Sequence, residues 1–359
     1  MDNEKKFPLP YPNWPFSAFD TGKKDEKGNT IYQHGEIPVG LWDFHYDAGT
    51  GEVTWEERGG QAKRTTVTIY PYIPSEDIQS LVRLAQVLRR PILIKGEPGS
   101  GKTQLAKAIA YEWYGEDYAK HFFDWYIKSN SKAADGIYTY DHIARLRDAQ
   151  RGQEKDAKAY RSFGALAKSF LTSRTDKPSI LLIDEIDKAD IDFPNDLLLE
   201  LDEKRFYIPE THEAFAVEKG ASPLILITSN DERELPEAFL RRCLFMYIKF
   251  PSDEDLLKII RAHLPVLMNQ HTAFVEKAVE RFNSLRNAQS KDPNDSKRVS
   301  TSELLDWLKA YEFDLDSGDG TKLGQSLDDL PYYYQALLKT LGALNREKSS
   351  KPVAASNNG

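Results

Sequence analysis

The sequence predicts an α/β fold in which a parallel five-stranded sheet is sandwiched by helices and followed by a small all-helical domain. Short apolar runs of strand length alternate with helical patterns between residues 91 and 250. That alternation is typical of strand–helix–strand units, which form parallel sheets. Beyond Pro251 the strand patterns stop and amphipathic helical patterns replace them. A chain of 359 residues, 40% of them hydrophobic and 29% charged, is long enough to bury the cores of two ordinary domains.

A glycine-rich loop directly follows the first strand pattern. Residues 96–103 read GEPGSGKT and satisfy G-x-x-x-x-G-K-[ST], with a strand pattern at 91–94 and a helical pattern at 104–114 on either side. Glycines let backbone N–H groups approach an anion, and the following helix adds the positive end of its dipole. This context predicts the phosphate-binding loop of a P-loop NTPase. A glycine-rich turn without a ligand is the weaker interpretation, because every motif position is filled.

The side chains of this loop match the charges of a nucleoside triphosphate. Lys102 is expected to reach the β- and γ-phosphates, and Thr103 to place its hydroxyl on the bridging Mg²⁺. The loop therefore predicts a nucleoside triphosphate with Mg²⁺ as its ligands. The candidate nucleotide contacts are Gly96, Glu97, Pro98, Gly99, Ser100, Gly101, Lys102, Thr103 and Gln104.

Polar side chains stand at the ends of two later strand patterns. Asp184 and Glu185 follow the apolar run PSILLI, and Asn230 follows PLILITS. The carboxyl ends of parallel strands meet at one edge of a sheet, so these side chains should face the loop. Asp184 would then join Thr103 in the Mg²⁺ shell, Glu185 would polarise the attacking water, and Asn230 would sense the γ-phosphate or that water. The alternatives are helix N-cap carboxylates and a turn-forming asparagine.

Two adjacent arginines precede the fifth strand pattern. Arg241 and Arg242 end a short helical pattern, ELPEAFL, before the apolar run at 243–250. Paired arginines are most often solvated surface charges. The alternative is an arginine finger, which reaches the γ-phosphate bound by an adjacent subunit.

Composition divides the chain into four segments. Residues 1–74 form an aromatic-rich N-terminal extension that holds three of the six tryptophans and a β-hairpin pattern at 40–55. We expect the extension to pack on the core or on a neighbouring subunit. The α/β core covers 75–250, a helical domain covers 251–345, and a flexible tail covers 346–359.

The helical domain carries recognisable helix starts. Ser252 with Asp255 and Ser300 with Glu303 have the spacing of capping boxes. Four amphipathic helices are predicted, SDEDLLKIIRAHL, TAFVEKAVERFNSLR, STSELLDWLKAY and LPYYYQALLKTLGALN.

Charge and composition disfavour several classes of protein. The formal net charge is −8 without a long basic run, so a nucleic-acid partner is disfavoured. A single cysteine, Cys243, excludes an internal disulfide and fits a reducing compartment. Neither a signal-peptide core nor an apolar run of the ~20 residues that a membrane helix needs is present, which favours a cytoplasmic protein without a membrane partner. The seven histidines form no ligand-spaced cluster with the cysteine, so Mg²⁺ is the only metal expected.

Several ordered motifs together resemble the AAA+ ATPases. They are GEPGSGKT at 96–103, LLIDEID at 181–187, ITSND at 227–231 and LPEAFLRR at 235–242, followed by a helical lid. The resemblance covers about residues 75–345, and within the superfamily the chain looks like the MoxR and dynein-related (AAA_5-like) branch.

This resemblance implies roles for individual residues. Asn230 becomes the sensor-1 residue, Arg242 the first candidate for the arginine finger with Arg241 as the second, and Arg298 the sensor-2 arginine contributed by the lid. The segment 206–217 becomes a pre-sensor-1 hairpin. Residues 136–140, GIYTY, fall where such proteins carry a helix-2 insert or a pore-facing loop, although aromatic side chains packed on their own core are the plainer interpretation.

The expected activity is ATP hydrolysis by a ring of identical subunits, a hexamer by resemblance, in which lid closure remodels a partner. The branch implies a chaperone with a protein client, for example a von Willebrand factor A domain protein. One alternative is a nucleotide-dependent switch or scaffold. Another is a nucleic-acid-directed motor or a GTP-using relative, which the absence of an Asn-Lys-x-Asp guanine reader does not exclude.

Overall fold

The structure, a computed structural model, describes residues 19–24, 28, 30–39, 42–47, 49–57, 65–72, 74–290, 298–317, 327 and 331–349. Main-chain contacts group these residues into two compact units. The first contains the described residues of 19–21, 33–97 and 102–248, and the second contains those of 22–32, 98–101 and from 249 onward. Within the described ranges, no helix has both the length and the apolarity that crossing a lipid bilayer requires. The four segment boundaries drawn from the sequence stay predictions.

Strands and helices alternate through the first unit, and the regular elements described after residue 249 are all helices. The strands in chain order are β1 (Asp20–Lys24), β2 (Thr30–Tyr32), β3 (Gly35–Val39), β4 (Trp42–Asp47), β5 (Glu52–Glu57), β6 (Thr65–Ile69), β7 (Ile92–Gly96), β8 (Phe122–Tyr126), β9 (Tyr138–Tyr140), β10 (Arg161–Phe163), β11 (Ile180–Asp184), β12 (Arg205–Ile208), β13 (Glu213–Ala216), β14 (Leu224–Ser229) and β15 (Leu244–Ile248). The α-helices in chain order are α1 (Glu76–Leu88), α2 (Lys102–Tyr114), α3 (Tyr118–His121), α4 (Ala133–Ile137), α5 (His142–Gln150), α6 (Ala165–Thr172), α7 (Phe193–Asp196), α8 (Leu198–Glu203), α9 (Glu237–Leu240), α10 (Asp253–His263), α11 (Pro265–Gln270), α12 (Thr272–Ser290), α13 (Thr301–Asp316) and α14 (Leu341–Ser349).

Five parallel strands form the central sheet of the first unit, in the spatial order β15–β7–β14–β11–β8. Every residue of β11 and β14 is buried, which explains why their sequences are continuous apolar runs rather than alternating ones. Helix α2 packs against β7, β11 and β14, and α6 packs against β8 and β11. The predicted fold class, a five-stranded parallel P-loop NTPase sheet with flanking helices and a helical C-terminal part, is confirmed.

The N-terminal hairpin packs on the first unit. Strands β4 and β5 pair antiparallel from Trp42 opposite Glu57 to Asp47 opposite Glu52. Trp55 stacks on Phe123 of β8 with ring centroids 6.2 Å apart, so the hairpin contributes directly to the aromatic core. Residues 1–18 of the aromatic-rich extension lie outside the described residues.

Two short antiparallel ribbons, β9–β10 and β12–β13, contact each other through side-chain ion pairs and hydrogen bonds. The second ribbon occupies the segment for which a hairpin was predicted, and both ribbons pair antiparallel. Arg161 of β10 forms a buried ion pair with Glu213 of β13 and lies over the Phe163 ring, 4.2 Å from its centroid. Tyr138 of β9 donates to Glu210 between β12 and β13 at 2.8 Å. Strands β9 and β10 could not be predicted, because three-residue strands are too short to show a period.

The second unit is a helical bundle with its own apolar core. The largest fully buried side chains there are Trp307, Tyr311 and Phe282. Both predicted helix starts are capped. The Ser252 hydroxyl accepts from the backbone N–H of Asp255 at 3.2 Å, and Ser300 and Glu303 form a reciprocal capping box.

The fourth helix predicted in this unit is wrong over its first half. Tyr333 has a left-handed backbone with φ of 59°, a single 3-10 turn follows, and helix α14 begins only at Leu341. The carbonyl of Tyr332 accepts from Trp307 Nε1 at 2.8 Å and from Tyr311 Oη at 3.3 Å. A tertiary contact thus uses an acceptor that a continuous helix would need. Residues 346–349 of the predicted tail complete α14, and 350–359 lie outside the described residues.

Replacing Gly164 with Ala should destabilise the first unit. A Cβ at this position would lie 2.4 Å from the carbonyl oxygens of Asp135 and Gly136, which are backbone atoms that cannot rotate away. We expect a loss of about 1–3 kcal/mol in the free energy of unfolding, measured by urea titration. Gly342→Ala is the matched control, because nothing lies within 4 Å of its Cβ position. Equal stability of the two variants would contradict the packing described here.

The buried His121 should make stability fall in acid. Burial lowers its pKa from 6.5 to about 4, so the folded protein keeps the ring neutral where the unfolded chain protonates it. The resulting loss in the free energy of unfolding is close to zero above pH 6.5. It grows as the pH falls from 6.5 towards 4, to a limit of about 3 kcal/mol. His121→Phe keeps a ring on Tyr114 and should flatten this part of the pH dependence of unfolding. An unchanged pH dependence would show that His121 does not cause it.

Candidate active site

The glycine-rich loop connects β7 to α2. Gly99 and Gly101 have φ angles of 73° and 90°, in the left-handed region that favours glycine, so the loop geometry depends on residues without a Cβ. The hydroxyl of Ser100 is buried and has no hydrogen-bond partner among the residues that the structure describes. Helix α2 starts at Lys102, and the first N–H groups of a helix have no partner within it. Free donors at this loop fit a bound phosphate chain.

The Lys102 ammonium lies within the loop. It is 7% exposed and donates to the carbonyl oxygens of Gly96 at 2.7 Å and Glu97 at 3.0 Å. Burial lowers its pKa, while nearby carboxylates, Asp187 and Asp184 foremost, oppose that shift. A lysine ammonium has three donors, so one is left for an anion at this position.

The Thr103 hydroxyl and the Asp184 carboxylate meet at the edge of the sheet. The Thr103 Oγ1–Asp184 distances are 3.0 Å to Oδ1 and 3.1 Å to Oδ2, and Asp184 is 5% exposed at the end of β11. One hydroxyl and one carboxylate supply the oxygen ligands that Mg²⁺ takes from a protein when phosphates and water complete its shell. These two residues therefore fit a nucleotide-bound Mg²⁺.

Glu185 is held at three points. It adopts a left-handed backbone, φ 61°, and its N–H donates to Thr228 Oγ1 at 2.8 Å. Asn230 Nδ2 donates to Glu185 Oε1 at 3.0 Å, and Lys188 forms an ion pair with Oε2. A non-glycine residue in the left-handed region is strained unless its surroundings hold it, and such strain is common at functional sites. The structure thus brings together Lys102 and Thr103 of α2 with Asp184, Glu185 and Asn230.

Three residues of this cluster were not predicted as site residues from the sequence. Thr228 is fully buried, and its hydroxyl donates to Asp184 while it accepts from the Glu185 N–H. The buried Asp187 carboxylate accepts the N–H groups of Asn230 at 3.0 Å and Glu232 at 2.9 Å. Lys188 pairs with Glu185. The Thr228 hydroxyl stands inside the apolar strand pattern LILITS, which could have marked it as a candidate site residue. Only the strand register shows which groups it contacts.

The Gln104 side chain forms its hydrogen bond with a residue outside the glycine-rich loop. Its side-chain amide donates to the carbonyl oxygen of Tyr70 at 2.7 Å, and Tyr70 belongs to the segment between β6 and α1. The side chain counted among the nucleotide contacts therefore ties the N-terminal segment to α2.

Arg241 and Arg242 lie apart from this cluster. They precede β15, whose residues Leu244 and Ile248 pair with Ile92 and Gly96 of the parallel strand β7. The arginines are thus at the amino ends of the strands and the loop is at the carboxyl ends, separated by a five-residue strand of about 15 Å. Arg241 is 74% exposed and pairs with Glu237, while Arg242 pairs with Asp202 and donates to the Ala238 carbonyl at 2.8 Å.

Arg298 belongs to the second unit. It is exposed and lies two residues before the N-cap of α13. The next residue, Val299, is fixed through both backbone groups, because its N–H donates to Gln289 Oε1 at 2.7 Å and its carbonyl accepts from Arg286.

Comparison with known proteins identifies the central part of the chain. Residues 92–252 match the family model of the ATPase family associated with various cellular activities (AAA). The matched region contains the loop, both carboxylates, Asn230 and the paired arginines. The match supports the resemblance to the AAA+ ATPases, and the MoxR and dynein-related branch stays a prediction.

Individual relatives are distant. Spastin from Danio rerio is 29% identical over 181 residues, which cover 48% of this chain and 25% of spastin. A crystal structure of NtrX from Brucella abortus in complex with ADP superposes with a TM-score of 0.45 at 13% identity, covering 80% of this chain and 58% of the NtrX chain. The chain therefore spans a quarter of the spastin sequence and little more than half of the NtrX chain.

Removing the Thr228 hydroxyl should weaken the whole cluster. Thr228→Val keeps the side-chain shape but leaves the Glu185 N–H and an Asp184 oxygen without this partner, so we expect a loss of about 1–3 kcal/mol in stability. Misplaced Asp184 should also weaken Mg²⁺-dependent nucleotide binding by about 10–100-fold, measured by calorimetry. Thr228→Ser retains the hydroxyl and should restore most of both properties. Valine behaving like wild type would contradict this role.

Proposed function

We propose that the protein is a Mg²⁺-dependent ATPase that works as a ring and remodels a protein partner. The match to the AAA family supports the nucleotide chemistry. The observation that carries the proposal is that the residues around the glycine-rich loop and the paired arginines lie at opposite edges of the central sheet. Lys102, Thr103, Asp184, Glu185 and Asn230 converge at the carboxyl edge of the sheet, whereas both arginines lie at the opposite edge.

The loop residues 96–103 would bind the phosphates of ATP. Lys102 would exchange its bonds to the Gly96 and Glu97 carbonyls for phosphate oxygens, a change that keeps a buried cation paired. The Ser100 hydroxyl, for which the described part of the chain supplies no hydrogen-bond partner, is available to the same phosphates. Thr103 and Asp184 would hold Mg²⁺, which neutralises charge on the β- and γ-phosphates.

Glu185 and Asn230 would prepare the water for attack. Glu185 accepts from the Asn230 amide through Oε1, so the amide fixes the direction of the carboxylate. A carboxylate oxygen has a second lone pair, which can take a proton from a water aligned with the γ-phosphate. Asn230 would therefore act as the sensor-1 residue and Glu185 as the general base.

An arginine finger would complete the site from a neighbouring copy. The distance across the sheet prevents Arg241 or Arg242 from reaching the γ-phosphate bound by its own chain. A ring would bring the amino edge of one sheet to the loop of the next copy. We propose Arg242 as the finger and Arg241 as the second candidate. Arg242 must leave Asp202 to act, and that exposed pair is weak.

The remaining assignments follow the resemblance to the MoxR and dynein-related branch. The ribbon β12–β13 stands where that branch has its pre-sensor-1 hairpin, which supports the assignment. We propose a hexamer, a protein client such as a von Willebrand factor A domain protein, and Arg298 as the sensor-2 residue. Closure of the helical lid would then couple hydrolysis to remodelling of the client.

Single arginine variants test the finger. At a concentration where the protein is assembled, Arg242→Ala should lower kcat for ATP hydrolysis by about 1,000-fold without changing nucleotide affinity, because the finger stabilises charge in the transition state. Asp202→Ala, which only frees Arg242, should keep activity. If Arg241→Ala alone abolishes turnover, the finger is Arg241. Full activity in both single variants and in the double variant would overturn the trans mechanism.

A Glu185→Gln variant separates hydrolysis from switching. It should bind ATP, fail to hydrolyse it and remain assembled, with loss of remodelling. A protein whose biological output persists in this ATP-held state would instead be a nucleotide-dependent switch. Stimulation of turnover by DNA or RNA that falls with salt would favour a nucleic-acid motor.

A further inference from the structure

Arg90 connects α1 to the central sheet and is fixed on both sides. Helix α1 ends at Leu88, its C-cap Arg89 has a left-handed backbone, and the Arg90 N–H donates to the carbonyl of Ala85 at 3.2 Å. Pro91 follows, and its carbonyl accepts from the Leu244 N–H at 2.8 Å as β15 begins. The main chain of Arg90 therefore has little freedom.

The Arg90 guanidinium binds three consecutive carbonyls of another segment. Its Nε donates to the carbonyl of Arg242 at 3.1 Å, and its Nη2 lies 3.4 Å from the carbonyl of Cys243 and also donates to that of Arg241. A guanidinium presents its donors in a rigid planar fork, which a lysine ammonium cannot reproduce. The contacts join residues 151 to 153 positions apart in the sequence.

These carbonyls belong to the turn that carries both candidate fingers. Helix α9 has only four residues, and the last carbonyls of a helix have no partner within it. The side chains of Arg241 and Arg242 are themselves held by exposed ion pairs, which contribute little. Arg90 is thus a main constraint on the backbone from which the two arginines project.

We propose that Arg90 is a positioning residue that sets the direction in which the turn 241–243 presents its arginine finger to the nucleotide of the next copy. This inference rests on the proposed function, because it requires a finger that acts in trans. Arg90 itself does not touch the nucleotide. It acts through the main chain of Arg241 and Arg242.

Subunit mixing distinguishes this role from a structural one. Arg90→Ala should bind ATP normally but lower kcat by about 10–100-fold, as expected for a misplaced catalytic group. The nucleotide site of an Arg90→Ala subunit retains Glu185. A Glu185→Gln subunit retains a correctly positioned arginine finger. Mixing the impaired Arg90→Ala variant with the inactive Glu185→Gln variant should therefore raise hydrolysis above that of either alone, because the finger of a Glu185→Gln subunit can serve the site of an Arg90→Ala subunit. A defect within the nucleotide site of the Arg90→Ala subunit itself would not be rescued.

The controls separate failure of this inference from failure of the proposed function. Arg242→Ala mixed with Glu185→Gln tests the trans finger alone, and Arg83→Ala, an exposed arginine of α1, should behave like wild type. If Glu185→Gln restores ATP hydrolysis when mixed with Arg242→Ala but not when mixed with Arg90→Ala, the role of Arg90 is overturned and the proposed trans finger stands. No restoration with either partner would overturn both.

A conservative variant guards against misfolding. Arg90→Lys keeps the charge but cannot bind three carbonyls in one plane, so it should fold and show an intermediate loss that is also rescued by mixing. Thermal melting establishes that each variant is folded before the assay. Full activity of Arg90→Lys together with full activity of Arg90→Ala would contradict the inference.

Discussion

The parallel pairing of β11 with β14 is the constraint on which the candidate site depends. Ile183 lies opposite Ile227, and the next positions bring Asp184 within hydrogen-bond distance of the Thr228 hydroxyl. The same hydroxyl accepts the Glu185 N–H, so one buried side chain orients both carboxylate-bearing residues. Pairing of β7 with β14 then places the glycine-rich loop at the same edge. A shift of one residue in this register would separate Asp184 from the loop.

Buried charge explains why the site is so densely hydrogen-bonded. An ionised carboxylate is expensive to bury unless donors surround it. Asp184 accepts from two hydroxyls, and Asp187 accepts from two backbone N–H groups. Lys102 is buried among loop carbonyls and near the same carboxylates. The arginines at the other edge are comparatively exposed, which suits groups that act on a different copy.

Much of this architecture could be predicted from the sequence, because buried parallel strands and the G-x-x-x-x-G-K-[ST] loop leave strong local patterns. The residues that depend on tertiary contacts could not be predicted. Thr228, Asp187 and Arg90 acquire their partners only through strand register and loop packing. Gln104 was assigned to the loop by its position, yet it bonds to Tyr70. The helix expected across Tyr332 and Tyr333 fails for the same reason, since Trp307 and Tyr311 bind the Tyr332 carbonyl.

The most direct test of the central claim is the rate of ATP hydrolysis per subunit as a function of protein concentration, with the mass of the particles measured in the same samples. If the site is completed by a neighbouring copy, the rate per subunit rises as oligomers form and reaches a plateau when assembly is complete. A rate per subunit that stays constant while the protein remains monomeric would contradict the account.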